Sequence, residues 1–387
     1  MRRIEGSWLK NATAQALLSA LEAAGFKGYF VGGCVRNALL GLPVTDLDIA
    51  TNARPETVLE LARSIGFKPV PTGIDHGTVT VVGKGEPLEV TTFRKDVETD
   101  GRHAVIAFAD TLEVDAARRD FRMNAIYADA RGVLHDPTGG LEDIQARRLV
   151  FVGRPEARIR EDYLRIIRLY RFAAQLGFGA CGIDAHAARA VRRLSYGLGH
   201  VSTERKTAEL LKLLAVVCPM DVLKAMASDG VLARVLGLVD LPLLERYLGK
   251  EKDLLSPDAI ARLTVLLMPS EALPLRLSKK DQRFAEQLRS AARDDSSLGE
   301  LAYRHGKRLA MSVGAARAAL LEADMTREDL ALIAKGECAV FPVAAKDLAP
   351  HRGKALGMAL ARLERRWIES GFELGKGALL SGLSDEE

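Results

Sequence analysis

The sequence predicts an α+β protein in which a small mixed-sheet head precedes an all-helical, elongated body. Short segments that alternate polar and β-branched residues, such as TVTVV at 78–82, occur before about residue 150 and indicate strands. From Arg158 onward, apolar residues recur almost throughout with the 3.6-residue period of a helix. At 387 residues the chain is long enough for two or three domains. We therefore expect three parts, with boundaries at 1–150, 151–220 and 221–387.

The head is predicted to begin with an amphipathic helix and then to alternate strands with helices. The first helix covers residues 11–24, with Asn11 as its N-cap and Gly25 as its C-cap. The elements that follow it are strand Tyr29–Val31, helix Cys34–Leu40, strand Thr45–Ile49 and helix Pro55–Ile65. Proline at the first position of the last helix is typical of a helix start.

The second half of the head is predicted to be richer in strands. Thr78–Val82 and Leu88–Phe93 alternate polar and apolar residues across a glycine-marked turn, which indicates a hairpin. The segment Lys95–Arg102 is charged and contains glycine, so we expect a mobile loop. Leu149–Val152 is predicted to be a last short strand before the helices begin.

The body is predicted to contain helices in succession, with polar residues at several starts. Ser202 and Ser278 are expected to be N-caps, the latter with Asp281 in a variant of the capping box. The clearest helical segments are Asp162–Gln175, Ser202–Val217, Asp258–Met268, Lys280–Ala292, Gly314–Ala323 and Gly353–Ile368.

Composition and charge indicate an ordinary globular protein. The net charge is +4, from 55 basic and 51 acidic residues, which allows local basic faces but does not demonstrate a polyanionic partner. The four cysteines are scattered without metal-ligand spacing, as expected of reduced thiols. The basic N-terminus is not followed by the apolar segment of a signal peptide, and no apolar run approaches membrane-spanning length. We therefore expect a cytoplasmic protein.

The stretch from Tyr29 to Thr51 predicts a site for phosphate. Gly32 and Gly33 follow a short apolar strand directly, where a tight turn lets a ligand approach the backbone closely. The helix that begins after this turn directs its first N–H groups back at the turn, which favours an anion. Arg36 lies near the start of this helix and adds a positive charge.

Asp46 and Asp48 predict a divalent metal beside this phosphate site. Residues two apart on a strand share a face, so the two carboxylates project together. A hard cation with oxygen ligands, typically Mg²⁺ bridging substrate phosphates, relieves their repulsion. Alone, an Asp-x-Asp sequence is more often a solvated strand edge, but the combination with the glycine turn is far more specific. Glu89 on a later strand is either a third carboxylate of this site or a surface residue.

Two further segments allow either a structural or a functional interpretation. Arg119 and Asp120 could form a structural salt bridge; alternatively Arg119 could bind a triphosphate and Asp120 a ribose hydroxyl. The segment 160–172 is predicted to be one helix, with residues 161, 165, 168 and 172 on one stripe and Asp162 beside Arg165. Composition alone favours a ladder of ion pairs on a solvated helix.

These segments together resemble the family of class II tRNA nucleotidyltransferases (CCA-adding enzymes) and bacterial poly(A) polymerases, within the DNA polymerase β superfamily. The resemblance rests on GGCVRNALLGLPVTDLD, RRDFRMNA, DPTGGLEDI and the EDYLR pattern, in this order within residues 25–215, and it includes the ERKTAELLKLL segment, Glu204–Leu214. Asn37 stands where the family usually has aspartate, and Arg122 where it usually has threonine. The fold that the resemblance implies is a polymerase-β-like nucleotidyltransferase head on 1–150, a base-recognition neck on 151–220 and a tRNA-binding body on 221–387.

The resemblance also implies roles for the residues of these motifs. Asp46 and Asp48 would be catalytic and would hold Mg²⁺. The nucleotide-binding residues would be Gly32, Gly33, Arg36, Arg119, Asp120, Asp162, Arg165, Arg168 and Arg171. Among them, Asp162 and Arg165 would read the incoming base, because cytosine and adenine both present an amino group beside an acceptor.

The function implied is template-independent addition of C, C and A to the 3′ end of tRNA from CTP and ATP. The partner would be tRNA, bound at its 3′ end and acceptor and T arms, with CTP and ATP as substrates. One alternative is a poly(A) polymerase, or an enzyme that adds only CC or only A. Another is an RNA-binding protein with an inactive head. The presence of the Lys95–Arg102 segment favours full CCA addition within the family, and the absence of a histidine-aspartate metal constellation predicts no hydrolytic activity.

Overall fold

The structure is a computed structural model that describes residues 2–85, 87–99, 104–252, 254–270 and 273–381. It divides into two compact units, the first formed by 1–213 and 218–235 and the second by 214–217 and 236–387. The finer division at residues 150 and 220 remains a prediction. Within the described ranges, no helix is both long and apolar enough to cross a membrane.

The head is built on a mixed sheet, as the sequence predicts. The strands are β1 Gly28–Val31, β2 Asp48–Thr51, β3 Lys68–Gly73, β4 Thr78–Val82, β5 Leu88–Thr92, β6 Arg94–Thr99, β7 Ala104–Phe108, β8 Tyr127–Ala128 and β9 Leu134–His135. Seven of them form one sheet in the order β3-β4-β5-β2-β1-β8-β9, while β6 and β7 pair separately. Only the β2–β5 pair of the seven-stranded sheet is parallel; the predicted β4–β5 hairpin is confirmed.

Five helices accompany the strands of the head, and their starts follow the sequence signals. They are α1 Ala12–Ala23, α2 Gly33–Leu39, α3 Pro55–Ser64, α4 Leu112–Ala117 and α5 Gly140–Gln145. The Asn11 side chain accepts a hydrogen bond from Ala14 N, which confirms it as the N-cap of α1, and Pro55 is the first residue of α3. Apolar side chains between these helices and the sheet are fully buried, including Leu17, Leu21, Phe30, Ile49 and Val58.

Three predictions for the head are wrong in detail. Residues 95–99 are not a loop, because they lie in β6 and pair antiparallel with β7; residues 100–102 lie outside the described residues. The strand predicted from Thr45 begins at Asp48, so Asp46 lies in the preceding loop. The segment 149–152 forms isolated bridges, such as Phe121 with Phe151, because its partners there are single residues of loops.

The regular elements that follow the head in the described chain are helices. They are α6 Pro155–Glu161, α7 Leu164–Gln175, α8 Ala185–Leu194, α9 Thr203–Leu214, α10 Met220–Ser228, α11 Val231–Leu236, α12 Leu241–Glu251, α13 Ala259–Leu266, α14 Lys279–Ala291, α15 Leu298–His305, α16 Lys307–Leu320, α17 Arg327–Cys338, α18 Gly353–Glu369 and α19 Lys376–Ser381. The Ser278 hydroxyl accepts from Asp281 N, which confirms the predicted N-cap of α14.

A buried ion pair lies inside the second unit. Glu251 and Arg262 are each 2% exposed and are joined at 2.5 Å between Oε2 and Nη2. Arg262 also donates to the carbonyl oxygens of Leu214 and Val216, and thereby holds the 214–217 segment against α13. Nearly all donors of this buried guanidinium are therefore satisfied within the unit.

Candidate active site

The glycine turn brings two predicted site residues together. Gly32 has φ +76° and ψ −123°, a conformation that only glycine adopts readily. A Cβ atom on Gly32 would lie 3.6 Å from Nη1 of Arg119 and 3.8 Å from Oδ2 of Asp48. The turn at the start of α2, the arginine and the carboxylate thus meet at one place, as the motifs predict.

Asp48 lies close to two other carboxylates, those of Glu89 and Asp46. It is the first residue of β2, and the parallel register places it beside Glu89 of β5, whose side chain is exposed. Burial raises the pKa of Asp48 to about 6, and the charges of Glu89 and Asp46 add to this, while Arg119 and Arg36 oppose it. Among the described side chains, no three His, Cys, Asp or Glu residues form a ready metal cluster. Asp46 and Asp48 are the carboxylates that could share a cation with a bound phosphate.

Arg36 is anchored inside the head rather than extended into solvent. Its side chain is 7% exposed; Nη1 donates to Oδ1 of Asn124 at 2.7 Å, and Nε and Nη2 donate to Oδ1 of Asn37 at 3.1 and 2.8 Å. Burial lowers the pKa of Arg36 to about 10, assisted by the charges of Arg171 and Arg168. Asn37, which departs from the family pattern, therefore orients Arg36 with a neutral side chain.

Arg119 is held by residues that the sequence motifs do not include. Its Nη2 donates to Oδ2 of Asp115 at 2.9 Å, and its Nε lies 3.2 Å from the same oxygen and 3.0 Å from the hydroxyl of Tyr127. Asp115 precedes Arg118 by three residues and Arg119 by four, the spacing of ion pairs on a helix. That spacing was the one signal in the sequence that could have found Asp115.

Asp120 is directed at Arg168. Its Oδ2 accepts from Nε and Nη2 of Arg168 at 2.9 and 2.5 Å, and its Oδ1 accepts from Phe121 N and from Nδ2 of Asn124. Four donors satisfy a carboxylate that is 8% exposed. Burial would raise the pKa of Asp120, but Arg168 and these hydrogen bonds hold it far below its ordinary value. The predicted contact with a ribose hydroxyl stays a prediction.

The predicted single helix over 160–172 is wrong. Asp162 has φ −155° and ψ 105°, which separates α6 from α7. Its Oδ1 accepts from Leu164 N and its Oδ2 from Nη2 of Arg205 at 2.7 Å. Arg165 pairs with Glu161 at 2.7 Å. The structure thus brings the two predicted base-reading residues into adjacent ion pairs.

Arg168 and Arg171 belong to a cationic cluster around one aromatic ring. The guanidinium carbons of Arg36, Arg168 and Arg171 lie 5.1, 5.5 and 4.0 Å from the ring centroid of Phe172. Glu209, which lies in the ERKTAELLKLL segment but was given no role from the sequence, pairs with Arg171 at 2.6 Å. Three guanidiniums thus face the carboxylates of Asp120 and Glu209, and the excess of positive charge favours an anion.

Arg122, the second departure from the family pattern, has a structural partner. Its Nε and Nη2 donate to the two carboxylate oxygens of Asp143 at 2.6 and 2.7 Å. Asp143 is fully buried on α5. The side chain therefore fixes α5 against the segment that follows Asp120, and its charge is matched there.

The mixed sheet, the glycine turn and the paired carboxylates define a nucleotidyltransferase head. In agreement, residues 28–150 match the family described as the poly A polymerase head domain. A solved structure, the Bacillus stearothermophilus CCA-adding enzyme in complex with CTP, is similar over 93% of each chain, with a TM-score of 0.71 and 30% identity. The chain belongs to the family of CCA-adding enzymes.

Two other similarities describe the extent of the match. The CCA-adding enzyme of Geobacillus thermodenitrificans is 42% identical over 229 residues, which are 59% of this chain and 55% of that protein. The chain thus matches about half the length of its curated relatives. The Thermotoga maritima CCA-adding enzyme complexed with tRNA_CCA has the same fold over all of both chains, with a TM-score of 0.72 and 18% identity.

Proposed function

We propose that this chain adds C, C and A to the 3′ end of tRNA, using CTP and ATP and releasing pyrophosphate. The observation that carries the proposal is the approach of Gly32, Arg119 and Asp48 to one another within a head of the nucleotidyltransferase type. The similarity to CCA-adding enzymes selects this activity among those of the superfamily. A poly(A) polymerase or an enzyme of partial addition is an outcome of the test below.

The carboxylates suit Mg²⁺ as the cofactor. Burial first, and then the charges of Glu89 and Asp46, raise the pKa of Asp48 more than Arg119 and Arg36 lower it, and a cation beside this carboxylate would offset that effect. Asp46 and Asp48 would hold the metal, with Glu89 beside them. When two Mg²⁺ ions are bound, one would activate the terminal 3′-hydroxyl of the tRNA and the other would stabilise the pyrophosphate that leaves.

The phosphates would lie between the turn and the arginines. The first N–H groups of α2, at Gly33 and after, are directed at a ligand in the turn. Arg36 and Arg119 approach the same turn from opposite elements, and Arg168 and Arg171 extend the positive surface. These groups are fixed by their own partners before a nucleotide arrives, so little rearrangement opposes binding.

Base choice would fall to Asp162 and Arg165. The carboxylate accepts from the amino group of cytosine or adenine, and the guanidinium donates to the adjacent ring acceptor. Guanine and uracil present the opposite polarity and would leave both groups unpaired against the base, which would favour their rejection. Arg205 and Glu161 would hold the two side chains in position for this contact. The helical second unit would bind the tRNA by shape and backbone contacts along its acceptor and T arms.

One assay tests the activity and its alternatives. Purified protein is incubated with Mg²⁺ and a tRNA that lacks its 3′ CCA, together with CTP, ATP or both, and the products are resolved to one nucleotide. We expect two added residues with CTP alone and three with both nucleotides. Only A, only CC, or a long run of A would replace the proposal with the matching alternative, and no addition would refute it.

A further inference from the structure

Asp115 is a buried carboxylate that binds the edge of Arg119 opposite the glycine turn. It lies on α4 and is fully buried. Its Oδ2 accepts from Nη2 of Arg119 at 2.9 Å and from the hydroxyl of Tyr127 at 2.7 Å. Its Oδ1 accepts from Nε of Arg118 at 2.8 Å, and Nη2 of Arg118 lies 2.7 Å from the same oxygen.

We infer that Asp115, together with Tyr127, is a positioning residue for nucleotide binding, because it fixes the edge of Arg119 that faces away from the glycine turn. The inference rests on the proposed function, since it assigns Arg119 to the triphosphate. Asp115 itself touches no part of the turn that binds the phosphate; it acts through Arg119.

The geometry of Arg119 separates its donors into two sets. Nε and Nη2 form the edge that contacts Asp115 and Tyr127. Nη1 is 3.5 Å from the carbonyl oxygen of Asn124, a weak contact, and 3.6 Å from the position that a Gly32 Cβ would occupy. One edge is therefore committed to the protein, and the Nη1 donors remain beside the turn for a phosphate oxygen.

Charge supports the same assignment. Burial would raise the pKa of Asp115, but the guanidiniums of Arg119 and Arg118 outweigh it and lower the pKa, so the carboxylate is ionised. One carboxylate faces two guanidiniums, so this group of three side chains keeps a net positive charge. An asparagine at position 115 would direct an amide N–H toward donors of Arg118 or Arg119, and would release Arg119 from its fixed orientation.

A double-mutant cycle on CTP binding tests the inference. Binding of CTP with Mg²⁺ is measured by calorimetry for the wild type, Asp115→Asn, Arg119→Ala and the double variant. We expect each single change to weaken binding roughly 10- to 100-fold, as for loss of a hydrogen bond to a charged group. The double variant should bind no more weakly than the weaker single variant, because Asp115 acts through Arg119.

Steady-state kinetics supply a readout that loss of structure alone would not give. Asp115→Asn should raise the KM for CTP and leave the KM for tRNA unchanged, whereas a partly unfolded protein loses kcat alone. Tyr127→Phe, which removes one hydroxyl from the same network, should give a smaller rise in the KM for CTP. If Asp115→Asn does not fold, the double-mutant cycle with Arg119→Ala is measured with Tyr127→Phe in its place.

Asp143→Asn is the matched control. Asp143 is equally buried and equally paired with an arginine, but its partner Arg122 faces α5. In the double variant, the losses of CTP affinity caused by Asp143→Asn and by Arg119→Ala should therefore multiply. If the losses of CTP affinity caused by Asp115→Asn and Arg119→Ala also multiply in their double variant, the positioning role is refuted. A wild type that binds no CTP and extends no tRNA would instead refute the proposed function.

Discussion

Single residues set the charge balance of the candidate active site. Asp48 faces Glu89 across the parallel β2–β5 pair, and Arg119 approaches it from beside the glycine turn. Nearby cations offset the repulsion between such neighbouring carboxylates, and the guanidiniums of arginines supply part of that positive charge here. The metal that we propose would supply the rest.

Replacement of Asp48 by asparagine is expected to abolish most nucleotide addition. Loss of one metal-binding carboxylate should reduce kcat by roughly 1,000-fold or more, because a metal stabilises the transition state by several kcal/mol. The measurement is single-turnover addition of C to a tRNA without CCA. Asp110→Asn, which changes a head carboxylate that is 83% exposed, should retain full activity. Comparable rates for the two variants would exclude Asp48 from the reaction.

Replacement of Glu89 by glutamine is expected to lower the pKa of Asp48. The pKa of about 6 is raised first by burial and next by the charge of Glu89, so removing that charge should shift it toward its ordinary value. The carboxyl resonance of Asp48 can be titrated by NMR in protein kept free of divalent cations. An unchanged pKa would mean that the carboxylates of Glu89 and Asp48 do not interact and that burial and Asp46 account for the shift.

Individual helices depend on caps that reach beyond the helix itself. Asp258 accepts from Ile260 N and Ala261 N at the start of α13, at 3.0 and 3.2 Å. It also accepts from Nε and Nη2 of Arg308 on α16, at 2.7 and 3.0 Å. The Asp258 carboxylate therefore caps the N-terminus of α13 and also attaches α13 to α16.

Asp258→Ala is expected to lower the free energy of unfolding by about 1–2 kcal/mol at neutral pH. Burial would raise the pKa of Asp258, but Arg308 and the helix N–H groups lower it overall. A depressed pKa stabilises the folded state above the unfolded pKa, so the contribution is complete above about pH 4 and is lost as the pH falls further. Urea unfolding at several pH values should show the two proteins converging in acid. Asp295→Ala, at an exposed site, should change little at any pH.

Elements whose signals are local were predictable from the sequence, and elements that depend on distant contacts were not. The N-caps at Asn11 and Ser278 follow from the residue type and the spacing. The break before α7 does not, because Tyr163 packs on Gly197, where a Cβ would lie 2.0 Å from its ring. The hairpin β6–β7 escaped prediction because a charged strand lacks the apolar alternation that identifies strands.

The same distinction holds in the candidate site. The motifs that contain Gly32, Asp48 and Arg119 have a chemistry that can be inferred from their residue types. The structure brings these three residues together. Their supports, such as Asp115 and Glu209, are ordinary acidic residues of helices in the sequence. Only the fold shows which arginine each of them meets, because that depends on how the helices pack.

In the molecule as a whole, the second unit relies on one fully desolvated ion pair. Glu251→Ala should destabilise the protein by about 3–5 kcal/mol, because Arg262 would keep a buried charge without its carboxylate. Guanidinium unfolding followed by circular dichroism measures the effect. Glu373→Ala, which removes an exposed ion pair with Lys335, should change the stability little. Similar losses for both would show that Arg262 finds another partner or water.

The sheet order of the head has a consequence for how the chain acquires its activity. Asp48 lies beside Glu89 although α3, β3 and β4 separate them along the chain, and Arg36 donates to Asn124 across 88 positions of the sequence. Asp120 in turn meets Arg168 across 48 positions. Contacts so distant along the chain form late and together, since closing each loop costs entropy before any contact compensates it. During synthesis, the Asp120–Arg168 contact of the candidate site therefore cannot form until α7 has left the ribosome, so we expect the proposed activity to appear only after the head and α7 have folded together.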